Sequence, residues 1–443
     1  MFLIPVPDSS LTVGWLAREA AARYYRQLGT EPLLRLRTED GAVLDTGDLV
    51  AHIAQPGDQL TADVVHWNTK PAAEKYDEAC KELGLTNFKN IRASLVSMSS
   101  TSSLSLRVSL KVHHLKPLVR SLRGNSGLRE LELSHCWLRD EQIELLSEVL
   151  PSVTHLSSLN LSYNRMSSTS LTTLSTLGLK VKQLQLSGNM LDDDCLPALT
   201  TLLSSYSSLQ TLGLARCNLT KLLFKSGRGL FSLEAKKSKL RHLDISHNLL
   251  TASGVEILLS CLPLSLASLD ISNCNQQRIS SPDSLGLAFL SHCSQTTPSA
   301  SSSDLSSLTM SMFSLDNRSL AKLESCLAHC SALTELDLSH NLVTSQALGS
   351  LLSSVEKHGV PVVRLRMAVG GQKEAEEFWS DDGLELVREA LESLLSRNCS
   401  LELLVLPHTA QATHSILKVW DSQHGVRSSH SQDTLANVTY SLQ

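Results

Sequence analysis

The 443-residue chain has room for two or three domains and a sizeable core. Its net charge of −5 argues against a protein held to nucleic acid by bulk electrostatics, and the lack of any run of about 18 apolar residues argues against a membrane span. Leucine carries the apolar fraction while aromatics make up 4%, the composition of one packing unit repeated many times.

The N-terminus lacks the basic start and long apolar run of a secretory signal. "FLIPVP" (2–7) reads as a strand, and "SSLTVGWLAREAAARYYRQLG" (9–29) as an amphipathic helix with Val13, Leu16, Ala20 and Tyr24 on one side. "PLLRLRTEDGAVLD" (32–45) reads as strand, turn and strand, "LVAHI" (49–53) as a short helix, and "DQLTADVVHW" (58–67) as a last strand. That order is a ubiquitin-like β-grasp without its first strand. Residues 1–70 are therefore expected to form an incomplete ubiquitin-like domain with an unpaired edge beside "FLIPVP". It closes on "HWNTKP" rather than a diglycine, so conjugation through its end is not supported.

Residues 71–103 read as a helical linker, "PAAEKYDEACKELG", followed by a Ser-rich stretch, "SLVSMSSTSSLSL", expected to be a mobile surface loop. "LSLRVSL" (104–110) alternates as a capping strand would.

From there to about residue 410 one pattern returns, L-x-x-L-x-L-x-x-(N/C)-x-L. It appears as "LRELELSHCWL" (128–138), "LSSLNLSYNRM" (156–166), "VKQLQLSGNML" (181–191), "LQTLGLARCNL" (209–219), "LRHLDISHNLL" (240–250), "LASLDISNCN" (266–275) and "LTELDLSHNLV" (333–343). Looser copies lie at 305–315, 362–367 and 401–406. The spacing is about 25 to 31 residues apart from two longer steps, and ten copies exclude coincidence. In each unit L-x-L is a short strand whose leucines enter the core. At the corner beyond it, Asn can donate to and accept from neighbouring backbone, and Cys can substitute as a small filler. Cys136, Asn164, Asn189, Cys217, Asn248, Cys274 and Asn341 hold that slot, and Phe313 and Thr409 break the rule. Returning segments such as "DEQIELLSEVL" and "SDDGLELVREALESLLSRN" have helical periodicity. The expected fold is α/β, a leucine-rich-repeat horseshoe of ribonuclease-inhibitor type spanning 104–410. "SQTTPSASSSD" (294–304) reads as a loop insertion, and 411–443 as an irregular tail.

Ser134-His135-Cys136 sets three catalytic residue types side by side, yet it returns as Ser246-His247-Asn248 and Ser339-His340-Asn341. A nucleophile could not be exchanged for Asn between copies, whereas a corner filler can. No Walker loop, no CxxC pair and no converging catalytic set is present, so no enzyme activity and no cofactor are expected. The ten cysteines read as reduced and buried. Three acids in "LDDDC" (191–195) are explained by helix capping more simply than by a metal, and the basic run at 221–240 by a solvated loop more simply than by DNA. The concave strand positions Glu130, Glu132, His242, Asp244, Asp270, Glu335 and Asp337 form a mildly acidic lining, turning basic at Arg364 and Arg366. This lining reads either as a site for a Lys- or Arg-bearing partner segment or as solvated strand positions.

"FLIPVP", "WLAREAAARYY" (15–25), "YDEACKELG" (76–84) and "LVRSLRGNSGLRELELSHCWLRDE" (118–141), in that order, resemble the C-terminal portion of the Tonsoku-like family over roughly residues 1–410. The resemblance implies a nuclear, non-enzymatic scaffold that supports homologous recombination at stalled or broken replication forks, working with an MMS22-like partner and recombination factors. The family's tetratricopeptide and ankyrin repeats are not found here, so histone reading is not expected, and an N-terminally truncated form or incomplete gene model is the simplest expectation. The alternative is an intracellular leucine-rich-repeat adaptor or inhibitor, cytoplasmic and unrelated to DNA repair.

Overall fold

In the repeats a three-residue strand is centred on the first leucine of L-x-L, one residue earlier than the triplet itself, and that leucine is buried from Leu131 to Leu365. The computed structural model describes residues 3–28, 31–55, 57–68, 70–224, 239–263, 265–277, 279–293, 304–327, 332–359, 362, 364–367, 381–397 and 403–405. Two units are present, Met1–Asn160 with Leu177–Val181, and Leu161–Thr176 with Lys182–Gln443.

The first unit opens with helix α1 (Val13–Leu28), strand β1 (Glu31–Arg37), helix α2 (Val50–Ile53) and strand β2 (Thr61–Asn68). Helix α1 buries Val13, Ala17 and Ala21, an i, i+4, i+8 stripe in which the alanines allow close approach. Ala20 and Tyr24, expected on that stripe, sit beside it and are half-buried. Val13 and Ala17 pack with Leu36 and Val50, and Leu16 covers the edge of this cluster. Strands β1 and β2 are antiparallel, with Leu36 opposite Ala62. Two expected strands are corrected. Residues 3–7 of "FLIPVP" are coil, since Pro5 and Pro7 lack N–H donors and β2 pairs with β1 alone. "AVLD" contributes one bridge, Val43 to Arg37, at a tight turn where Gly41 takes a φ of +91°.

Helices α3 (Ala72–Glu82) and α4 (Lys89–Thr101) follow. The Ser-rich stretch expected as a mobile loop is mostly helix. Ile91, Leu95 and Met98 form a buried helical stripe, while Ser99 and Ser100 donate to the carbonyls of Val96 and Ser97. Tyr76 of α3 is buried, and Lys75 donates to the Arg123 carbonyl at 3.3 Å, so the expected linker packs on the repeat side. Strand β3 (Ser103–Ser105), helix α5 (Val112–Leu122), strand β4 (Glu130–Glu132), helix α6 (Asp140–Ser147) and strand β5 (Ser158–Asn160) complete the unit. Strands β3, β4 and β5 are parallel, with Leu104, Leu131 and Leu159 in register. The expected capping strand is thus the first ladder strand, three residues long.

The second unit continues with α7 (Ser168–Ser175), β6 (Gln183–Gln185), α8 (Leu196–Ser205), β7 (Thr211–Gly213), β8 (His242–Asp244), α9 (Thr251–Cys261), β9 (Ser268–Asp270), α10 (Pro282–Cys293) and β10 (Ser307–Thr309). It ends with α11 (Asn317–Leu327), β11 (Glu335–Asp337), α12 (Ser345–His358), β12 (Arg364–Arg366), α13 (Asp381–Arg397) and β13 (Leu403–Val405). From β6 to β13 neighbouring strands are parallel and in chain order, so Leu184, Leu212, Leu243, Leu269, Leu308, Leu336, Leu365 and Leu404 form one row. Most of the Ser-rich insertion (294–303), most of the basic run (225–238), Thr409 and the tail lie outside the described residues.

Candidate functional site on the strand faces

The residues flanking each inward leucine form rows on the opposite strand face. In the first unit Glu130 is exposed. Glu132 accepts from Arg107 Nη2 at 2.7 Å, Ser105 Oγ at 3.0 Å and Ser134 Oγ at 3.0 Å. The Arg107 bond, helped by the two serine hydroxyls, holds the Glu132 carboxyl below its ordinary range. Its charge is locally compensated.

In the second unit the register aligns Asp244, Asp270, Thr309, Asp337 and Arg366 in one row. Each Asp accepts the backbone N–H of the serine two residues on: Ser246 at 3.0 Å, Ser272 at 2.9 Å and Ser339 at 2.9 Å. This is an Asx turn, repeated at these three strand exits. Where the aspartate is missing, a hydroxyl from the preceding repeat takes over. Ala215 N–H, after Gly213, donates to Ser187 Oγ at 3.2 Å, and Ser311 N–H, after Thr309, donates to Ser272 Oγ at 3.2 Å. Sequence reasoning missed this rule, although D-x-S is spelled out at Asp244, Asp270 and Asp337.

The seven expected partner-binding positions therefore differ in charge. Glu335 pairs with Arg364 of the next strand, and Asp337 lies 3.9 Å from Arg366. Asp244 and Asp270 are adjacent and accept from neutral serine groups, Asp244 also from Ser246 Oγ at 2.6 Å. Burial, with a smaller push from the Asp244 and Asp337 charges, raises the Asp270 carboxyl above its ordinary range against the lowering effect of its Ser272 bonds. His242 is exposed beside Asp244 on β8. Glu130 and Glu132 belong to the other unit.

The corner slot is inward and polar. Asn248 Nδ2 donates to the carbonyls of Leu214 and Ile245, both at 2.8 Å, while Oδ1 accepts the N–H groups of Cys217 and Leu219, both at 3.0 Å. Asn341 does the same for Met310, Leu338, Phe313 and Leu315. Asn189 spans Leu161 and Leu186 and accepts from Met166, and Asn164 donates to Leu161 at 2.9 Å. The cysteines donate across to the preceding turn: Cys136 Sγ to Leu106, Cys217 Sγ to Leu186 and Cys274 Sγ to Ile245. After Cys274 the next corner is Phe313, which cannot bridge, and buried Asn275 instead donates to the Phe313 carbonyl at 3.1 Å. Desolvation pushes the Cys136 thiol up to about 11 and the Cys217 and Cys274 thiols up to about 12. Such thiols remain protonated, and a protonated thiol is a poor nucleophile. In Ser134-His135-Cys136, His135 is exposed and Cys136 fully buried.

At 191–195, where the sequence favours capping over a metal, two of the acids bond to backbone N–H groups. Asp192 accepts the Asp194 N–H at 3.1 Å, and Asp193 accepts the Thr220 N–H at 2.8 Å. Among the described residues no cluster of three or more His, Cys, Asp or Glu could hold a metal, and no helix is long and apolar enough to cross a membrane.

The Leucine Rich repeat family profile matches residues 154–175, 236–258 and 329–351. A Tonsoku-like protein of Danio rerio is 32% identical over 382 residues, 83% of this chain and 26% of that protein. The Mus musculus Tonsoku-like protein is 31% identical over 371 residues, 81% of this chain and 26% of that protein. The chain is similar to Tonsoku-like proteins. It spans about a quarter of their length, and the match supports a Tonsoku-like C-terminal portion built of leucine-rich repeats. Among solved structures, an internalin from Listeria monocytogenes aligns with 78% of this chain and 92% of its own, at 16% identity and a TM-score of 0.41.

Proposed function

We propose that the chain is a non-enzymatic protein-interaction scaffold, nuclear, that supports homologous-recombination repair of stalled or broken replication forks by engaging an MMS22-like partner. The repeats and the Tonsoku-like relatives support the scaffold reading, and the repair role and the partner follow from the resemblance. Within the strand faces the binding residues are Asp244 and Asp270, with His242 beside them. These two carboxylates lie on adjacent strands without a neighbouring ion pair among the described residues, whereas Glu335 and Asp337 face Arg364 and Arg366. That contrast carries the proposal, because an uncompensated acid pair on a rigid strand suits a Lys- or Arg-bearing segment. Glu130, exposed in the first unit, is a separate candidate position. Affinity purification of the chain from replication-stressed cells, read by mass spectrometry, tests the reading. Recovery of the MMS22-like protein is expected, and consistent absence of replication proteins would favour an adaptor unrelated to repair.

A further inference from the structure

A second surface of the second unit has different chemistry from the strand face. In each described turn from β5 to β11 the residue before the corner has positive φ: Tyr163, Arg216, His247, Asn273, Met312 and His340 lie between 53° and 56°, and Gly188 at 73°. L side chains resist that conformation, and glycine is the residue that relieves it. The sequence nevertheless places large side chains there, and Tyr163 lays its ring where a Gly188 Cβ would sit, 2.5 Å from its Cδ1. The residue after the corner is often a large exposed aliphatic: Met190 is 69% exposed, Leu249 54% and Leu342 65%.

The turns are joined into one strip. Arg216 N–H donates to the Ser246 carbonyl at 3.0 Å, His247 to Ser272 at 2.7 Å, Asn273 to Ser311 at 2.8 Å and Met312 to Ser339 at 2.9 Å. Leu249 N–H donates to Leu219 and Leu342 N–H to Leu315. Equivalent side chains therefore follow one another at about the spacing of paired strands, roughly 4.8 Å. Aliphatic groups, two histidines and the cations Arg165 and Arg216 share the strip, and neither turn position holds an acid from Tyr163 to Leu342. The acids nearest in sequence, Asp192 and Asp316, accept from Asp194 N–H and from the Ser319 N–H and hydroxyl. The strand face has the opposite character, with Asp244, Asp270, Glu335 and Asp337.

We propose that this turn strip, centred on Met190, Arg216, His247, Leu249, Met312 and Leu342, is a docking surface for an extended protein segment that alternates aliphatic with acidic side chains. Repeated strain at bulky residues, apolar exposure and the exclusion of acids from an otherwise acidic array all favour that occupant. Nucleic acid is the less suitable ligand, since Met and Leu offer no stacking platform and the strip has few strong cations.

Selection of random phage-displayed peptides on the full chain tests the proposal. The selected peptides are expected to combine Asp or Glu with Leu, Ile or Phe, and synthetic copies should bind a Leu249→Asp/Leu342→Asp variant at least tenfold more weakly. Arg216→Glu alone should weaken them too, while Asp244→Asn/Asp270→Asn should not. Thermal melting checks that the exposed-site variants remain folded. A selected pool without acidic-aliphatic peptides, binding indifferent to the turn variants, or displacement by a single-stranded oligonucleotide would each overturn it.

Discussion

The two-stranded sheet at residues 31–68 and the ladder of repeat strands are held by different means. In the ladder each leucine is covered by its own repeat and its neighbours: Leu212, Leu243 and Leu269 are 2% exposed or less. Asn189, Asn248 and Asn341 each bond to an adjacent turn. Strand β2 instead leaves Val64 and Val65 exposed, and β1 exposes Leu33. Regularity explains the difference. A rule that satisfies one repeat satisfies the next, so stability accumulates with neighbour contacts, whereas a two-stranded sheet has little with which to cover itself.

Substitutions sharpen this contrast. Asn248→Ala leaves two buried carbonyls and two N–H groups without their side-chain partner, and should cost about 4 kcal/mol in urea unfolding. Leu243→Ala opens a cavity within the ladder and should cost about 3 kcal/mol. Cys217→Ala removes one weak donor and a small volume, and about 1 kcal/mol is expected. A Cys217 loss as large as the Asn248 loss would break the corner account.

Titration separates the two units in opposite directions. Asp270 has a raised folded pKa, so its ionised form costs stability at neutral pH, and that cost is relieved as pH falls through the raised value. Asp270→Asn should therefore raise the unfolding midpoint at pH 7, with the advantage shrinking in the acid range. Glu132 has a lowered folded pKa, so its contribution is present above the ordinary carboxylate range and is lost as pH falls through the lowered value. Glu132→Gln should lower the midpoint at pH 7, and the difference should fade in strong acid. Parallel pH responses of the two variants would contradict the charge assignment. The smallest effect belongs to the two-stranded sheet, where Leu33→Ala should change stability by less than about 0.5 kcal/mol.

The repeats were legible because their signal is periodic: L-x-L set the strand register, and the Asn and Cys slots fell on the corners where Asn248 and Cys217 bond. The N-terminal region was less so. "FLIPVP" has strand composition but no strand partner, and composition cannot supply one. The Ser-rich stretch was misjudged because serine abundance hid Ile91, Leu95 and Met98 at helical spacing. The strand-face acids were visible in sequence, but their neutralisation depends on which strand lies beside them, as Arg107 beside Glu132 and Arg364 beside Glu335 illustrate. Positive φ at Met312 or Tyr163 follows from their place before the corner and not from residue type, since neither favours that conformation.

The central claim is that uncompensated acids on adjacent strands receive a basic partner. Asp244→Asn/Asp270→Asn removes both charges but keeps the oxygen that each serine N–H needs, so the turns are retained. Titrating the MMS22-like protein onto the folded wild-type chain and this variant, at low and high salt, measures the claim directly. The account predicts at least tenfold weaker binding for the variant and a smaller salt dependence. Equal affinity at both salt concentrations would contradict it.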